Sequence, residues 1–136
     1  MRKLFYIANI RFPTERAHGI QVAHMCATFA RAGAQVTLLV SDRKTTQNDP
    51  FEYYGVERNF RVEKIPVPDI VRFGALGFFI ESSVFAYRAA KRVRTALDIR
   101  CLQSLWTPDV YIYTREELPL LFLPQGRTFY EAHQLR

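Results

Sequence analysis

The sequence predicts an α/β protein built on a doubly wound parallel sheet of about five strands in the order 3-2-1-4-5, and three features predict it. Apolar runs of strand length alternate with longer stretches of helical periodicity, the pattern of strand-helix-strand crossovers. Leu4 to Ala8 is a nearly unbroken apolar run, as in a strand buried on both faces. Phe60 to Ile65 instead mixes apolar with charged residues, as a partly solvated edge strand does. With right-handed crossovers, the order 3-2-1-4-5 sets the first strand in the middle and the third at an edge.

The elements follow in order. After the first strand and a polar loop, Gly19 opens a helix in which Val22, Met25, Cys26, Phe29 and Ala30 form one stripe and Gln21, His24, Thr28 and Arg31 the opposite one. Gly33 supplies its stop. Val36 to Val40 is the second strand. Asp42 to Asn59 is polar, with Asp49-Pro50 as a turn signal, and predicts a long connection to the third strand. From Leu76 to Leu97 a long crossover helix carries Phe79, Ser83, Ala86, Ala90, Val93 and Leu97 along one side. Asp98 to Thr107 leaves room for further helical turns before Pro108 breaks them. Val110 to Tyr113 is the fourth strand, Leu118 to Leu123 a short helix with Pro119 in its first turn, Pro124-Gln125-Gly126 a turn, and Arg127 to Glu131 the fifth strand. No crossover helix follows, so residues 1–136 are expected to be one incomplete domain.

Composition narrows the function classes. The balance of 49% hydrophobic and 24% charged residues is that of an ordinary globular protein. A net charge of +6 suits anionic partners without choosing among nucleotide diphosphates, nucleic acid and acidic membranes. Cys26 and Cys101 lack the spacing of a zinc site or a disulfide framework, which fits a reducing cytoplasm. The apolar run at the amino end is too short for a signal peptide, and no stretch reaches the roughly 20 apolar residues of a membrane span.

In a doubly wound sheet, ligands bind beyond the carboxyl ends of the strands where the winding reverses. Here that edge carries Asn9, Arg11, Gly19 and Gln21 from the first crossover, Ser41 from the second strand, Thr114 and Arg115 from the fourth, and His133 after the fifth. Gly19 lets backbone approach a ligand, and the free amides of its helix favour an anion, although a glycine also suits a tight turn into a helix. No Gly-x-Gly-x-x-Gly and no Gly-Lys-Ser/Thr loop is present, which disfavours a dinucleotide dehydrogenase and a P-loop nucleotidase. His133 could hydrogen-bond a sugar hydroxyl or move a proton, or be tied into local structure. Glu131 alternates away from it, so no metal set forms, and no metal or cofactor is expected. His18, in the loop, is a further candidate, with His24 weaker on a polar stripe. Arg88, Lys91, Arg92 and Arg94 could contact anionic lipid, or be the solvated face of a crossover helix. The aromatic residues lie inside elements and do not interleave with a basic platform, which argues against nucleic acid.

The stretch Asn9-Ile10-Arg11-Phe12-Pro13-Thr14-Glu15-Arg16-Ala17-His18-Gly19-Ile20-Gln21 resembles the amino-terminal signature of the family-4 glycosyltransferases of the GT-B fold. Similar blocks follow at Gln35 to Val40, Tyr53 to Val56, Phe60 to Pro66, Pro108 to Arg115 and Tyr130 to His133. The resemblance implies two facing Rossmann-like domains. Residues 1–136 would be most of the amino-terminal, acceptor-side one, and the carboxyl-terminal donor domain would lie outside them. It implies a retaining, metal-independent transfer of a sugar from a nucleotide-sugar donor to a carbohydrate or lipid-linked acceptor, in the cytoplasm or at the inner face of its membrane. Gly19, Ile20 and Gln21 would face the donor diphosphate and sugar, His133 would approach the transferred sugar as the catalytic residue, and Asn9, Arg11, His18, Ser41, Thr114 and Arg115 would lie on the acceptor side. The family's Glu-x7-Glu donor motif has no counterpart in the chain, so this piece alone is expected to be inactive. The alternatives are a non-catalytic α/β binding or regulatory module and a basic peripheral membrane domain.

Overall fold

The computed structural model describes residues 2–14, 16–42, 49–68, 73–103, 110–114 and 128–130. Its strands are β1 (Lys3–Ala8), β2 (Gln35–Asp42), β3 (Arg61–Pro66), β4 (Val110–Thr114) and β5 (Thr128–Tyr130). All pair in parallel in the order β3-β2-β1-β4-β5, so the doubly wound α/β fold that the sequence predicts is present. The central strand is the most apolar one, with Leu4 to Ala8 all buried, and the mixed strand β3 is an edge.

Successive strand residues point to opposite faces, and the core divides accordingly. Leu4, Tyr6 and Ala8 join Val36, Leu38 and Val40 beneath α1 (Ala17–Arg31) and α2 (Pro50–Tyr54). Phe5 and Ile7 join Leu39, Ile65 and Ile112 beneath α3 (Ala75–Gln103). Two apolar layers therefore clamp one sheet, which is why β1 had to be apolar on both sides.

Helix α1 buries Gly19, Val22, Ala23, Cys26 and Ala27. It starts at Ala17, so Gly19 lies inside its first turn and does not open it. Its end follows the expected glycine stop: Gly33 adopts φ 102°, its amide donates to the Ala30 carbonyl at 3.1 Å, and the Ala34 amide donates to that of Phe29 at 3.2 Å, a Schellman motif.

The polar connection after β2 contains a helix where a turn is expected. The Asp49 carboxylate accepts from the Phe51 amide at 3.3 Å and Pro50 takes the first helical position, so Asp-Pro acts as an N-cap pair. Gly55, at φ 65°, ends α2 in the left-handed conformation that glycine tolerates. Phe51 stacks against Phe60 with ring centroids 4.9 Å apart, which ties α2 to the layer above the sheet.

Helix α3 is a single run of 29 residues that continues past Asp98 to Gln103, and the rest of the stretch left open lies outside the described residues. Its buried face comprises Glu81, Ser82, Phe85, Ala86, Ala89, Ala90 and Val93. That face is rotated from the expected stripe, and Phe79 is 59% exposed. Ala86, Ala90 and Val93 of the expected stripe are buried, and Glu81, Ser82, Phe85 and Ala89 carry the contact further round the helix. The expected helix at Leu118 to Leu123, the turn at Pro124 to Gly126 and the ends of the fifth strand at Arg127 and Glu131 fall outside the described residues.

Candidate functional site

The winding reverses between β1 and β4, which are both neighbours in the sheet and parallel. Beyond their carboxyl ends runs the loop from Asn9 to Arg16, and two anchors hold its start. The Asn9 side-chain amide donates to Ser82 Oγ of α3 at 3.2 Å. The Ser41 hydroxyl, 1% exposed, donates to the Ile10 carbonyl at 3.0 Å. Each anchor joins the loop to a different element, so the edge is a tied structure and not a free strand end.

A third anchor holds the middle of the loop. Phe12 is buried and its ring centroid lies 5.2 Å from that of Tyr54, and the Phe12–Pro13 peptide is cis. The Tyr54 hydroxyl accepts from the Thr14 amide at 2.6 Å and donates to the Thr14 carbonyl at 2.8 Å. One side chain of α2 thus satisfies both main-chain groups of a loop residue, as a paired strand would.

Gly19 makes this strap possible. A Cβ at that position would stand 2.5 Å from both Thr14 Cγ2 and the Tyr54 hydroxyl, inside van der Waals contact, and 3.3 Å from the Thr14 carbonyl. The close approach that Gly19 permits is therefore to its own loop and to α2. Its amide donates to the Arg16 carbonyl at 3.0 Å.

The neighbouring candidates divide by exposure. Ile20 is 46% exposed, Gln21 and Arg11 are exposed, and His18 is half-buried. Ser41 and Thr114 are buried, and the Ser41 hydroxyl is spent on the loop. Asn9, Ser41 and Thr114 are thus brought to one edge, where they shape the floor under the loop, while Arg11, Ile20 and Gln21 lie on the open surface. Arg115 and His133 lie outside the described residues. Arg16, at the N-cap of α1, makes no side-chain cap hydrogen bond, and the first turn holds no acidic residue. Among the described residues of that first turn, no carboxylate meets the positive end of the helix dipole.

Sequence patterns missed several residues of this region. Tyr54 closes the loop across 40 positions, a separation with no local signal. Glu81, 1% exposed, brings a carboxylate to the same sheet edge beside Ser82, and no motif marks it in the sequence. Asp49 had a local signal, since Asp-Pro at the head of an aromatic run is also a helix start.

A cavity of about 360 Å³ lies at the opposite end of the strands, lined by Lys3, Gln35, Thr37, Arg61 and Arg92 among others. Arg92 there donates twice to Glu63 at 2.9 Å, and Arg58 pairs with Asp49. Parallel sheets bind ligands at the carboxyl edge, so this cavity is not the expected site. Burial pushes the Cys26 thiol far above its ordinary range, which leaves it an inert core group. Among the described residues no three His, Cys, Asp or Glu side chains cluster to hold a metal, and no helix is long and apolar enough to cross a membrane.

No family model and no curated protein sequence matches the chain. The parallel sheet with β3, β2, β1 and β4 in that order is what the structure establishes, a Rossmann-like architecture.

Proposed function

We propose that this chain is the acceptor-side domain of a retaining glycosyltransferase that moves a sugar from a nucleotide-sugar donor to a carbohydrate or lipid-linked acceptor. The observation that carries the proposal is the position of the loop from Asn9 to Arg16 and of the amino end of α1 at the winding reversal between β1 and β4. That is where a doubly wound sheet receives a ligand. The residues there are those whose order resembles the family-4 signature. A helix end that its N-cap residue Arg16 leaves without a side-chain cap suits an anion such as a diphosphate. As the donor's bond breaks, charge grows on the departing diphosphate, and fixed amides stabilise that charge without reorganising.

In this proposal Gly19 is a positioning residue, because it admits the Tyr54 strap that holds the loop. Ile20 and Gln21 face the donor, Arg11 and His18 border the acceptor, and His133 approaches the transferred sugar. A second domain supplies most of the donor pocket, so the 136-residue chain binds a nucleotide weakly and transfers nothing alone.

The test is release of nucleotide from a panel of nucleotide sugars by the full-length gene product, offered sugar and lipid-linked acceptors. Release that depends on an acceptor and falls at least a hundredfold in His133→Ala is expected, on the usual scale of one proton-transfer or positioning group. A full-length product that releases no nucleotide from any donor would sink the proposal in favour of a non-catalytic α/β module.

A further inference from the structure

The amino ends of the strands carry a second cluster of polar side chains, far from the loop at the winding reversal. Strand β1 spans about 20 Å, so a small ligand at one end of the sheet does not reach the other. Phe5, Leu39 and Ile65 pack beneath α3, and side chains alternate along a strand. Lys3 of β1, Gln35 and Thr37 of β2, and Arg61 and Glu63 of β3 therefore share that face. In the parallel register Lys3 is level with Gln35, and Thr37 with Arg61. Helix α3 adds Arg92, whose guanidinium lies 5.9 Å over the Phe5 ring. All of these except Glu63 line the cavity of about 360 Å³, a volume within the range of small-molecule sites.

The charges of this cavity are unevenly answered. Lys3, Arg58, Arg61 and Arg92 line it, and no carboxylate does among the described residues. Arg92 donates to Glu63 from Nε and Nη2 at 2.9 Å, which leaves its Nη1 group for a ligand. Arg58 pairs with Asp49. Lys3 and Arg61, by contrast, have no ion pair or hydrogen bond from their side chains among the described residues, and neither do Gln35 and Thr37. Strand β2 lies between Lys3 and Arg61, about 4.8 Å from the strand of each, a gap that two long side chains can span above Gln35 and Thr37. Two unanswered cations match the charge of a phosphate monoester, about −1.5 to −2 at neutral pH, and the guanidinium fork fits its oxygens.

The geometry points to a binding site for a small phosphorylated sugar or polyol at the amino edge of the sheet. The phosphate sits between Lys3 and Arg61, with Arg92 Nη1 beside it, and the ligand's hydroxyls meet the Gln35 amide and the Thr37 hydroxyl. A monocarboxylate would answer only one of the two cations, and an apolar ligand would strip water from both without replacing it. The site does not rest on sugar transfer, since its residues lie at the opposite end of the strands from the loop and α1. A ligand held there joins β1, β2, β3 and α3, so it stabilises the folded chain by mass action and touches no group of the proposed reaction.

The experiment is calorimetric titration of the full-length gene product with glucose 6-phosphate, glycerol 3-phosphate, inorganic phosphate and glucose at matched ionic strength, with no nucleotide sugar present. The two organic phosphates are expected to bind more tightly than inorganic phosphate, and glucose not to bind. Lys3→Gln/Arg61→Gln is expected to weaken the organic phosphates at least about tenfold, the scale of a lost charge-assisted hydrogen bond, while the melting curve without ligand stays that of the wild type. Lys3→Arg/Arg61→Lys keeps both charges and retains binding. Thr37→Val weakens the organic phosphates and leaves inorganic phosphate unchanged. Absence of binding, or binding undiminished in Lys3→Gln/Arg61→Gln, overturns the inference. So does equal affinity for inorganic and organic phosphates, which is charge attraction without a shaped site. A loss in Arg11→Gln as large as that in Lys3→Gln/Arg61→Gln also overturns it, because it places the ligand at the other edge.

Discussion

The two long helices α1 and α3 cross the same sheet on opposite faces, and they use their surfaces differently. At about 1.5 Å per residue, the 15 residues of α1 reach about 22 Å and the 29 of α3 about 43 Å. The six residues of β1 span about 20 Å. Helix α1 is thus matched to the sheet, and every apolar position on its inner face is covered. Helix α3 exceeds the sheet by roughly half its length, and in its first turns Leu76, Phe78 and Phe79 are exposed while Gly77 is buried. Length alone separates a helix that serves the core from one that also presents a surface.

The largest effect that tests this contrast lies within α3 itself. Phe85→Ala empties a site 1% exposed under the helix and is expected to lower stability by about 3–5 kcal/mol in urea titration. Phe79→Ser, less than two turns away, is expected to change it by no more than about 0.5 kcal/mol. Equal losses at the two positions would mean that the overhang packs against the body after all.

A smaller effect probes why α1 fits so closely. Helix propensity favours alanine over glycine by up to about 1 kcal/mol, but a Cβ at Gly19 overlaps Thr14 and Tyr54 at 2.5 Å. Overpacking of this kind costs about 1–3 kcal/mol, so Gly19→Ala is expected to be net destabilising by about 1–2 kcal/mol. In a Tyr54→Phe background the same change should cost less, because one of the two overlapping atoms is gone. A higher melting temperature for Gly19→Ala would refute the strap as the reason for this glycine.

The smallest effect is electrostatic and appears only at high pH. Cys26 is fully buried, and burial holds its thiol protonated in the folded chain. The unfolded chain's thiol ionises near pH 8.5. Unfolding therefore releases a proton above that pH, and stability falls as pH rises, by at most about 1.4 kcal/mol per unit. Cys26→Ala should lack this part of the slope. Parallel stability curves for the two proteins between pH 8 and 10 would show that the thiol ionises in the folded state.

Much of the candidate site was legible by position and little of it by contact. Strand ends follow from apolar runs, and the winding rule then names Asn9, Ser41 and Thr114 without coordinates. Which of them faces solvent does not follow. Ser41 turned inward to Ile10, and Gly19 is pinned under Tyr54. The Asp49-Pro50 pair shows the ambiguity at its sharpest, because the same dipeptide starts a turn or caps a helix depending on whether the aromatics after it find a core.

The sequence by itself determined the layers, the strand order, and the central and edge strands. Hydrophobic periodicity records how many faces of an element are buried, and right-handed crossovers leave few ways to join the elements. The tertiary structure alone decided the rotation of α3, the Tyr54 strap and the bare start of the long helix. Those depend on side-chain volume and on lengths compared between elements far apart in the chain, and neither quantity is written in any local pattern.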